Sequence, residues 1–324
     1  MTAAAPVWVL LGGRTGDNNQ LLRIAEALGL PFRAIELRYN RLHLIPPRVL
    51  GATLSTLVPE SKQEIRPPWP KLLLGIGYRS VPVALAIRKL SGGKTKLVRL
   101  GNPRVDRSEF DLVITTSQYA VPDAPNVIRL PVGIATTVMM QPTEAELEWL
   151  QRLPRPHRLL LIGGNTFMWS LTPKAMAQAA KKIAEKGGTV IPVSSPRSSQ
   201  AVLAAVDSAV GRRPSNRPRY PVLLADADEI YVTGDSVSMV SDAIATGRPI
   251  GISRPQRTAA GRVLYGLAGA ANRRVPVRDI QRLLDSVLEQ GLAGTVERPR
   301  APSYQPDALE EAVSAIRKLL GART

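Results

Sequence analysis

Residues 230–251, IYVTGDSVSMVSDAIATGRPIG, predict a strand, a turn, a helix and the start of a second strand. The β-branched and aromatic run Ile230–Thr233 is typical of a buried strand. A glycine and an aspartate break that run, and residues 236–245 then read as a helix with Gly247 at its C-terminus. Pro249 precedes the next apolar run. This order of elements is typical of a parallel sheet with helical connections.

The N-terminus of this helix suits an anion, because its unpaired N–H groups carry the positive end of the helix dipole. Ser236 and Ser238 add hydroxyl donors, and Asp235 or Ser236 can cap the helix. Asp242 follows nearly two turns later, where its carboxylate could reach a diol, as acidic residues do with ribose. A nucleoside diphosphate carries both groups. The alternative is an ordinary capped strand–helix–strand unit in which Asp242 is solvated.

The composition narrows the chemistry that the protein can perform. The 324 residues, 44% of them hydrophobic, suffice for two domains of about 100–200 residues each. The chain has no cysteine, which excludes disulfides, thiolate nucleophiles and cysteine-ligated metals. Its two histidines, His43 and His157, leave little for a histidine-based metal site.

The net charge of +17 is concentrated in the second half of the chain. Residues 1–150 carry 18 basic and 12 acidic side chains, and residues 151–324 carry 25 and 14. This excess suits phosphate-bearing ligands, an anionic membrane surface or nucleic acid, and the alternative is a basic proteome or simple solubility. Few aromatic residues are present and they do not interleave with basic ones, so nucleic acid is not the expected partner.

The hydropathy profile predicts a cytoplasmic protein. No apolar run reaches the ~18–20 residues that span a bilayer. The N-terminus, MTAAAPVWVLLGG, has no basic region and continues directly into a strand, so we expect neither a signal peptide nor a transit peptide.

The first half opens with a strand, Val7–Leu11, a glycine-rich turn and a helix. The glycine spacing matches neither the dinucleotide-binding nor the Walker pattern, so it says little by itself. The polar residues of the turn say more, because ligands of open α/β sheets bind at the carboxyl ends of the strands. The turn residues expected to face a ligand are Gly13, Arg14, Thr15, Gly16, Asn18 and Gln20.

Asp17 is the only carboxylate in this turn and is the candidate general base. Its alternative role is the N-cap of the helix. Later strands of this half also end in polar residues, from which we add Arg79, Asn102 and Arg104 to the acceptor or cleft residues. Residues 40–70 contain six prolines and predict a connector packed on the core; the alternative is a lipid-facing element.

The second half repeats the arrangement after a linker at residues 154–158. A strand at 159–162 leads into a second glycine turn, and a strand at 189–193 ends in a polar run. The chain therefore predicts an α/β fold of two Rossmann-like, doubly wound parallel-sheet domains that face a central cleft. Their expected bounds are 1–150 and 151–305, and 306–324 form a C-terminal helix that could pack back on the first domain. Asp226-Ala227-Asp228 resembles a metal-binding D-x-D, but it precedes its strand and is interpreted as a structural loop.

Four segments together carry a family resemblance: GGRTGDNNQ (12–20), GGN (163–165), SSPRS (194–198) and TGDSVSMVSDAIATGRPI (233–250). With these the sequence resembles the ELM family of glycosyltransferase-like proteins, which includes bacterial proteins and a plant mitochondrial-fission factor. The similarity covers nearly the whole chain. It implies a GT-B fold, metal-independent chemistry without a cofactor, an acceptor bound mainly by the first domain and a nucleotide-sugar bound by the second.

The last of these segments is also similar to the donor motif of the N-acetylglucosaminyltransferase that completes the lipid-linked peptidoglycan precursor. In that motif an acidic residue holds the ribose diol and is followed five and seven residues later by Gly and Pro. Asp242, Gly247 and Pro249 fit the spacing, with Asp in place of the more usual Glu. That enzyme carries a His at the position of Asp17. The base role of Asp17 is therefore a hypothesis that rests on position, with a carboxylate in place of an imidazole.

The resemblance implies transfer of a sugar from a nucleotide-sugar to an acceptor hydroxyl, with Asp17 as the base. The acceptor would be a glycan or a lipid-linked molecule at the inner face of the membrane, which basic loop residues such as Arg212, Arg213, Arg217 and Arg219 allow. The alternative is a non-catalytic interaction protein or membrane-surface scaffold with the same fold. The expected donor-binding residues are Gly163, Gly164, Asn165, Ser195, Arg197, Asp235, Ser236, Val237, Ser238 and Asp242.

Overall fold

Two parallel β-sheets organise the chain, one in each of two units. The computed structural model describes residues 6–211, 217–270 and 278–321. The first unit consists of residues 1–130 and 307–324, and the second of residues 131–306. Arg212 and Arg213 of the predicted basic loop lie outside the described residues.

The first unit contains a six-stranded sheet in which every neighbouring pair is parallel. Its spatial order is β2-β1-β3-β4-β5-β6, so the winding direction reverses between β1 and β3. The carboxyl ends of these two strands flank the switch point, where ligands of such sheets bind. The strands are β1 Val7–Leu11, β2 Phe32–Glu36, β3 Leu72–Ile76, β4 Lys96–Leu100, β5 Leu112–Thr116 and β6 Val127–Leu130.

Helices cover both faces of this sheet. Helix α1 contacts β1 and β3, and the C-terminal helix Ala308–Leu319 packs on α1, where Arg317 Nη2 donates to the carbonyl of Ala27. On the other face, Val81 and Ile87 of α4 join Trp8, Leu10 and neighbouring strand residues in one buried cluster. The other helices of this unit, besides the C-terminal one, have the following ranges: α1 Thr15–Leu28, α2 Pro47–Leu50, α3 Pro59–Gln63 and α4 Val81–Leu90. Turns of 3-10 helix lie at Arg41–Leu44, Tyr78–Ser80 and Arg107–Glu109.

The connector of residues 40–70 packs on the core over only part of its length. Leu57 and Ile65 are buried in the same cluster as Trp8, Leu10 and the α4 residues, as the sequence predicted. Leu44 and Val49, by contrast, are 71% and 70% exposed. The prediction of a core-packed connector is therefore wrong for residues 41–50. The two four-residue helical turns there present apolar side chains to solvent, because so short a turn cannot bury more than one side.

The second unit contains a five-stranded parallel sheet in the order β13-β11-β10-β7-β9. A two-stranded antiparallel ribbon, β8 with β12, stands beside it. The strands are β7 His157–Ile162, β8 Trp169–Ser170, β9 Thr189–Ser194, β10 Glu229–Thr233, β11 Ile250–Ser253, β12 Gln256–Arg257 and β13 Gly294–Thr295. The helices are α5 Glu144–Gln151, α6 Pro173–Ala184, α7 Gln200–Val210, α8 Tyr220–Asp226, α9 Val237–Ala245, α10 Ala259–Ala270 and α11 Ile280–Glu289; the C-terminal helix is α12.

Residues 131–150 belong with the second unit, although the sequence analysis had placed them in the first. Arg219 donates to Glu146 from its backbone N, its Nε and its Nη2, at 2.9, 2.8 and 2.7 Å. This hydrogen bonding holds the pKa of Glu146 well below its usual range. The partners are 73 residues apart, so no local pattern could have indicated the boundary.

Candidate active site

The carboxyl ends of β7, β9 and β10 meet at one edge of the second sheet. The backbone N–H of Gly163 donates to Thr233 Oγ1 at 2.8 Å, and that of Gly164 donates to Asp235 Oδ2 at 2.8 Å. These two bonds fasten the glycine turn after β7 to the end of β10. The predicted donor-binding segments are thus brought together, although they lie about 70 residues apart in sequence.

Both positions of this turn require glycine, because neighbouring atoms occupy the space that a Cβ atom would need. A Cβ atom on Gly163 would lie less than 3.0 Å from the carboxylate of Asp235. A Cβ atom on Gly164 would lie less than 3.0 Å from the backbone carbonyl of Arg197. Neither neighbour can move without breaking the turn, so only glycine fits at either position.

Asp235 is 1% exposed and acts as the central acceptor of this edge. Its Oδ2 accepts from Gly164 N and, at 3.3 Å, from Arg197 Nη2. A buried carboxylate is stable only with such partners. Asp235 therefore positions the glycine turn and Arg197, whose side chain remains partly exposed.

The turn after β9 is shaped by two serines. Ser198 Oγ donates to the carbonyls of Ile162 and Gly163 at 2.8 and 2.7 Å, and it accepts from Ser195 N at 2.9 Å. Ser195 Oγ in turn accepts from Arg197 N at 3.2 Å. Ser198 is thus a site residue that the candidate set missed. Its position in a polar run after a strand was the available signal.

The N-terminus of α9 lies at the same edge, and the Ser236 side chain does not cap it. Ser236 Oγ lies 3.4 Å from Ser238 Oγ, so two hydroxyls stand side by side at the helix end. Val237 is buried and can offer only its backbone N–H. An uncapped helix end with neighbouring hydroxyls and a guanidinium is suited to bind an anion.

Two predicted donor residues are occupied by internal hydrogen bonds. Asn165 Oδ1 accepts from Leu171 N at 2.8 Å and so closes a loop that includes β8. Asp242 is buried, and its Oδ1 accepts from the N–H groups of Thr136 and Thr137 at 2.8 and 3.1 Å. Its Oδ2 accepts from Thr137 Oγ1 at 2.6 Å. The ribose contact of Asp242 stays a prediction, and a diol would have to compete with Thr137.

At the first sheet, the glycine turn after β1 is closed by Asn18. Its side chain accepts from Gly12 N and donates to Gly12 O, both at 2.8 Å. Arg14 occupies the N-cap position of α1, so the N-cap interpretation of Asp17 is wrong. Asp17 lies in the first turn of that helix and is half-buried. Gln20 Nε2 donates to Gly16 O at 3.3 Å within the same helix.

The predicted residues after β3 and β4 cluster around one aromatic ring. The guanidinium carbons of Arg104 and Arg79 lie 4.3 and 5.9 Å from the centroid of the Tyr78 ring. Arg104 has φ of 60°, the left-handed region, and its N–H donates to Asn102 Oδ1 at 2.9 Å. Cation–π contact and this turn hold two positive charges at the edge of the first sheet.

The D-x-D segment lies at the opposite, amino-terminal edge of the second sheet. Arg155 bonds Asp226 and Asp228 at 2.5 and 2.8 Å. His157 Nδ1 lies 2.6 Å from Asp226 Oδ2, and the backbone N–H of His157 donates to Asp228. Both carboxylates therefore tie β7 to β10, which confirms the structural interpretation. Across residues 6–211, 217–270 and 278–321, no group of three or more His, Asp or Glu side chains could hold a metal ion.

A family model described as mitochondrial fission ELM1 matches residues 15–289. The chain belongs to this family. It is 23% identical over 312 residues to the mitochondrial fission protein ELM1 of Arabidopsis thaliana, covering 85% of this chain and 70% of the relative. It is 23% identical over 297 residues to the uncharacterized protein RP120 of Rickettsia prowazekii (strain Madrid E), covering 77% and 83%.

Solved structures match this ELM-family chain over almost its full length. The Staphylococcus aureus MnaA–UDP complex superposes with a TM-score of 0.55 at 12% identity, covering 99% of this chain and 98% of that one. The UDP-GlcNAc 2-epimerase of Neisseria meningitidis bound to UDP-GlcNAc gives 0.51 at 13%, covering 98% and 100%. The fold is therefore GT-B-like, with two Rossmann-like parallel-sheet domains. Among the described helices, none combines the length and apolarity that a bilayer crossing requires.

Proposed function

We propose that the second unit binds a nucleotide-sugar and that the protein transfers its sugar to an acceptor hydroxyl without a metal ion. One observation carries this proposal: Arg197, the Gly163–Gly164 turn and the uncapped N-terminus of α9 converge on one sheet edge around buried Asp235. The two similar solved structures carry UDP and UDP-GlcNAc, which supports the same ligand class here.

The convergent groups suit the departure of a diphosphate. When the bond between the anomeric carbon and the diphosphate breaks, negative charge develops on the leaving oxygen. The Arg197 guanidinium, the Ser236 and Ser238 hydroxyls and the first N–H groups of α9 can stabilise that charge. Asp235 keeps Arg197 in place beforehand, so little reorganisation is needed at the moment of reaction.

Asp17 is the proposed general base, from its place in the first turn of α1. The acceptor hydroxyl would give its proton to the Asp17 carboxylate while its oxygen attacks the anomeric carbon. Gly13, Arg14, Thr15 and Gly16 would contact the acceptor around it. The products are the glycosylated acceptor and the nucleoside diphosphate, so atoms and charge balance without a metal.

The exposed apolar turns at residues 41–50 support an acceptor presented at a membrane surface. Leu44 and Val49 are exposed beside Arg41 and Arg48, which are exposed as well. Apolar side chains can enter the headgroup region while arginines meet anionic lipid. Binding to vesicles with and without phosphatidylglycerol, repeated with Leu44→Ser plus Val49→Ser, would test this. Equal binding of the double variant would exclude the segment from that role.

The first experiment is a thermal-shift and ligand-detected NMR panel of UDP-, GDP-, ADP-, CMP- and dTDP-sugars. We expect one nucleotide to bind preferentially, with binding lost in Arg197→Ala. Arg152→Ala is the matched control, because Arg152 is an exposed arginine that pairs with Glu148 one helical turn away. Loss of binding in both variants would contradict the assignment of Arg197.

A second candidate is a non-catalytic interaction protein with the same fold. The internal hydrogen bonds of Asn165 and Asp242 favour it, because two residues expected to meet the nucleotide already have partners. Absence of binding to every nucleotide-sugar, with a folded and monodisperse protein, would support this candidate over the transferase.

A further inference from the structure

Arg99 is a buried cation at the carboxyl end of the first sheet. It lies on β4, one residue before the strand ends, and is 0% exposed. Its Nη1 donates to Ser80 Oγ at 2.8 Å. Its Nε and Nη2 have no hydrogen-bond partner, and no carboxylate forms an ion pair with it, in residues 6–211, 217–270 and 278–321. Arg88 and Arg129 in the same unit, by contrast, each have an aspartate partner.

A buried guanidinium without a counter-charge in this position lowers the free energy of unfolding. Burial lowers the pKa of Arg99 to about 10, although nearby Tyr39, Tyr119 and Asp17 act in the opposite direction. Arg99 therefore stays charged at neutral pH. A buried charge without a counter-charge is rare in proteins, because desolvation is not repaid.

The chain around Arg99 is built to accommodate its side chain. Gly75 is paired with Arg99 across β3 and β4, and a Cβ atom there would lie 3.4 Å from Nη1. Ser80, which accepts from Arg99, stands at the N-terminus of α4 and donates to the carbonyls of Ile76 and Gly77 at 3.0 Å. The guanidinium is thus fixed beside the positive end of a ten-residue helix.

The neighbouring titratable groups do not neutralise it. Burial raises the pKa of Tyr39, so this phenol is uncharged at neutral pH. The positive charge of Arg79 acts on the Tyr39 phenol in the opposite direction and partly offsets the rise in its pKa. The guanidinium groups of Arg79 and Arg104 both contact the Tyr78 ring. Among the described residues, Asp17 is the carboxylate whose charge acts on Arg99, and its influence is smaller than that of the two tyrosines. The edge carries more positive than negative charge.

We propose that this edge of the first unit binds an oxyanion, a phosphate or a carboxylate, with Arg99 as its buried anchor and Arg79 as a second contact. The ligand's oxygens would accept from Nε and Nη2, which form a planar pair of donors suited to bidentate binding. Tyr39 and Tyr119 are half-buried neighbours of Arg99, and because Arg99 is 0% exposed, an anion would have to displace a neighbouring side chain to reach it. The site does not depend on sugar transfer; if the proposed function holds, the anion is part of the acceptor.

The test measures thermal unfolding and calorimetric binding of the full chain in the Arg197→Ala background, so that the second unit does not contribute. The probes are inorganic phosphate, pyrophosphate and succinate, each compared with chloride at equal ionic strength. We expect a saturable rise in melting temperature with phosphate or succinate, and at least tenfold weaker binding of that probe in Arg99→Met. A response to phosphate alone assigns a phosphate, and one to succinate alone assigns a carboxylate. A response to neither probe overturns the proposal.

Arg99→Met also separates a ligand site from a structural role. An unpaired cation kept for a ligand should make the variant melt at or above the parent in chloride. A structural arginine should make it melt lower and leave the anion response intact, which would overturn the proposal. Arg129→Met is the matched control, because Arg129 donates to Asp123 at 2.7 Å, and we expect it to keep the response.

Arg99→Lys decides the matter if Arg99→Met does not fold. It keeps the charge but loses the planar pair of donors, so we expect binding at least fivefold weaker with folding retained. Unchanged affinity in this variant would exclude Arg99 as the anchor. Binding of nucleotide-sugar to Arg99→Met with Arg197 restored reports on the donor site alone. Its loss or retention therefore distinguishes failure of the proposed function from failure of this site.

Discussion

Asp235 and Arg99 are both buried charges near the carboxyl end of a parallel sheet, but the groups that surround them differ. Asp235 has an N–H donor and a counter-charge inside the chain, Gly164 N and the Arg197 guanidinium, both on its Oδ2; its Oδ1 has no hydrogen-bond partner among the described residues. Arg99 has one hydroxyl partner and two unpartnered nitrogens among the described residues. The edge at Asp235 therefore has its counter-charge in place, whereas the edge at Arg99 lacks a counter-charge among the described residues, and a ligand can supply one. Variants at either edge can test this difference.

Asp17→Asn should have the largest effect, because it removes the proposed base from the first edge and leaves the second intact. We expect the transfer rate to fall by about 10²–10⁴-fold with donor affinity unchanged. Single-turnover rates and calorimetry with the nucleotide identified in the panel would measure the two quantities. Glu26→Gln, on the exposed side of the same helix, is the control and should keep its rate. Full activity of Asp17→Asn would remove Asp17 from the mechanism.

Gly164→Ala should disrupt the edge at Asp235 itself. The added methyl group would overlap the Arg197 carbonyl, at a cost of about 3 kcal/mol in the free energy of unfolding. Urea unfolding would measure this, and nucleotide affinity should fall with it. Gly12→Ala, in the glycine turn of the first edge, is the matched control because nothing lies within 4 Å of its Cβ position. Similar losses in both variants would show that the two turns are equally constrained.

Asp242→Ala should destabilise the second unit by about 2–3 kcal/mol, because three buried or half-buried donors on Thr136 and Thr137 lose their acceptor. Unfolding without and with nucleotide would separate two roles. An equal loss in both conditions indicates only a structural clamp, and an additional loss with nucleotide indicates the predicted ribose contact. Ser241→Ala is the control, since the Ser241 hydroxyl donates to Val237 O within its own helix.

The smallest effect concerns the pH dependence of stability at the unpaired edge. Burial holds the pKa of Arg99 at about 10, below that of a free arginine. Between these values the unfolded chain binds more protons than the folded one, so folding is favoured as the pH rises. We expect the parent to be less stable than Arg99→Met at pH 7, and the gap to narrow above about pH 10. A gap that stays constant from pH 7 to pH 11 would indicate that Arg99 carries no buried charge.

Local sequence determined most of the secondary structure. The strand–helix–strand segment at residues 230–251 was predicted to within one residue of β10, α9 and β11, because glycine and proline mark the ends of apolar runs. The two glycine turns were predicted at the ends of the first strand of each half for the same reason, and they follow β1 and β7. The family resemblance and the GT-B-like fold followed from these local patterns, since each sheet is assembled from consecutive strands and helices.

Tertiary structure decided which polar residues have partners. Asp242 looks like a free ribose ligand in its own segment, but Thr136 and Thr137, more than 100 residues earlier, occupy its oxygens. Leu44 and Val49 look like core residues, but their short turns expose them. Arg99 reads as an unremarkable strand residue within KLVRL until Gly75 and Ser80 enclose it. For Asp242 and Arg99 the deciding contact comes from another strand or segment, and periodicity along the chain carries no information about that neighbour.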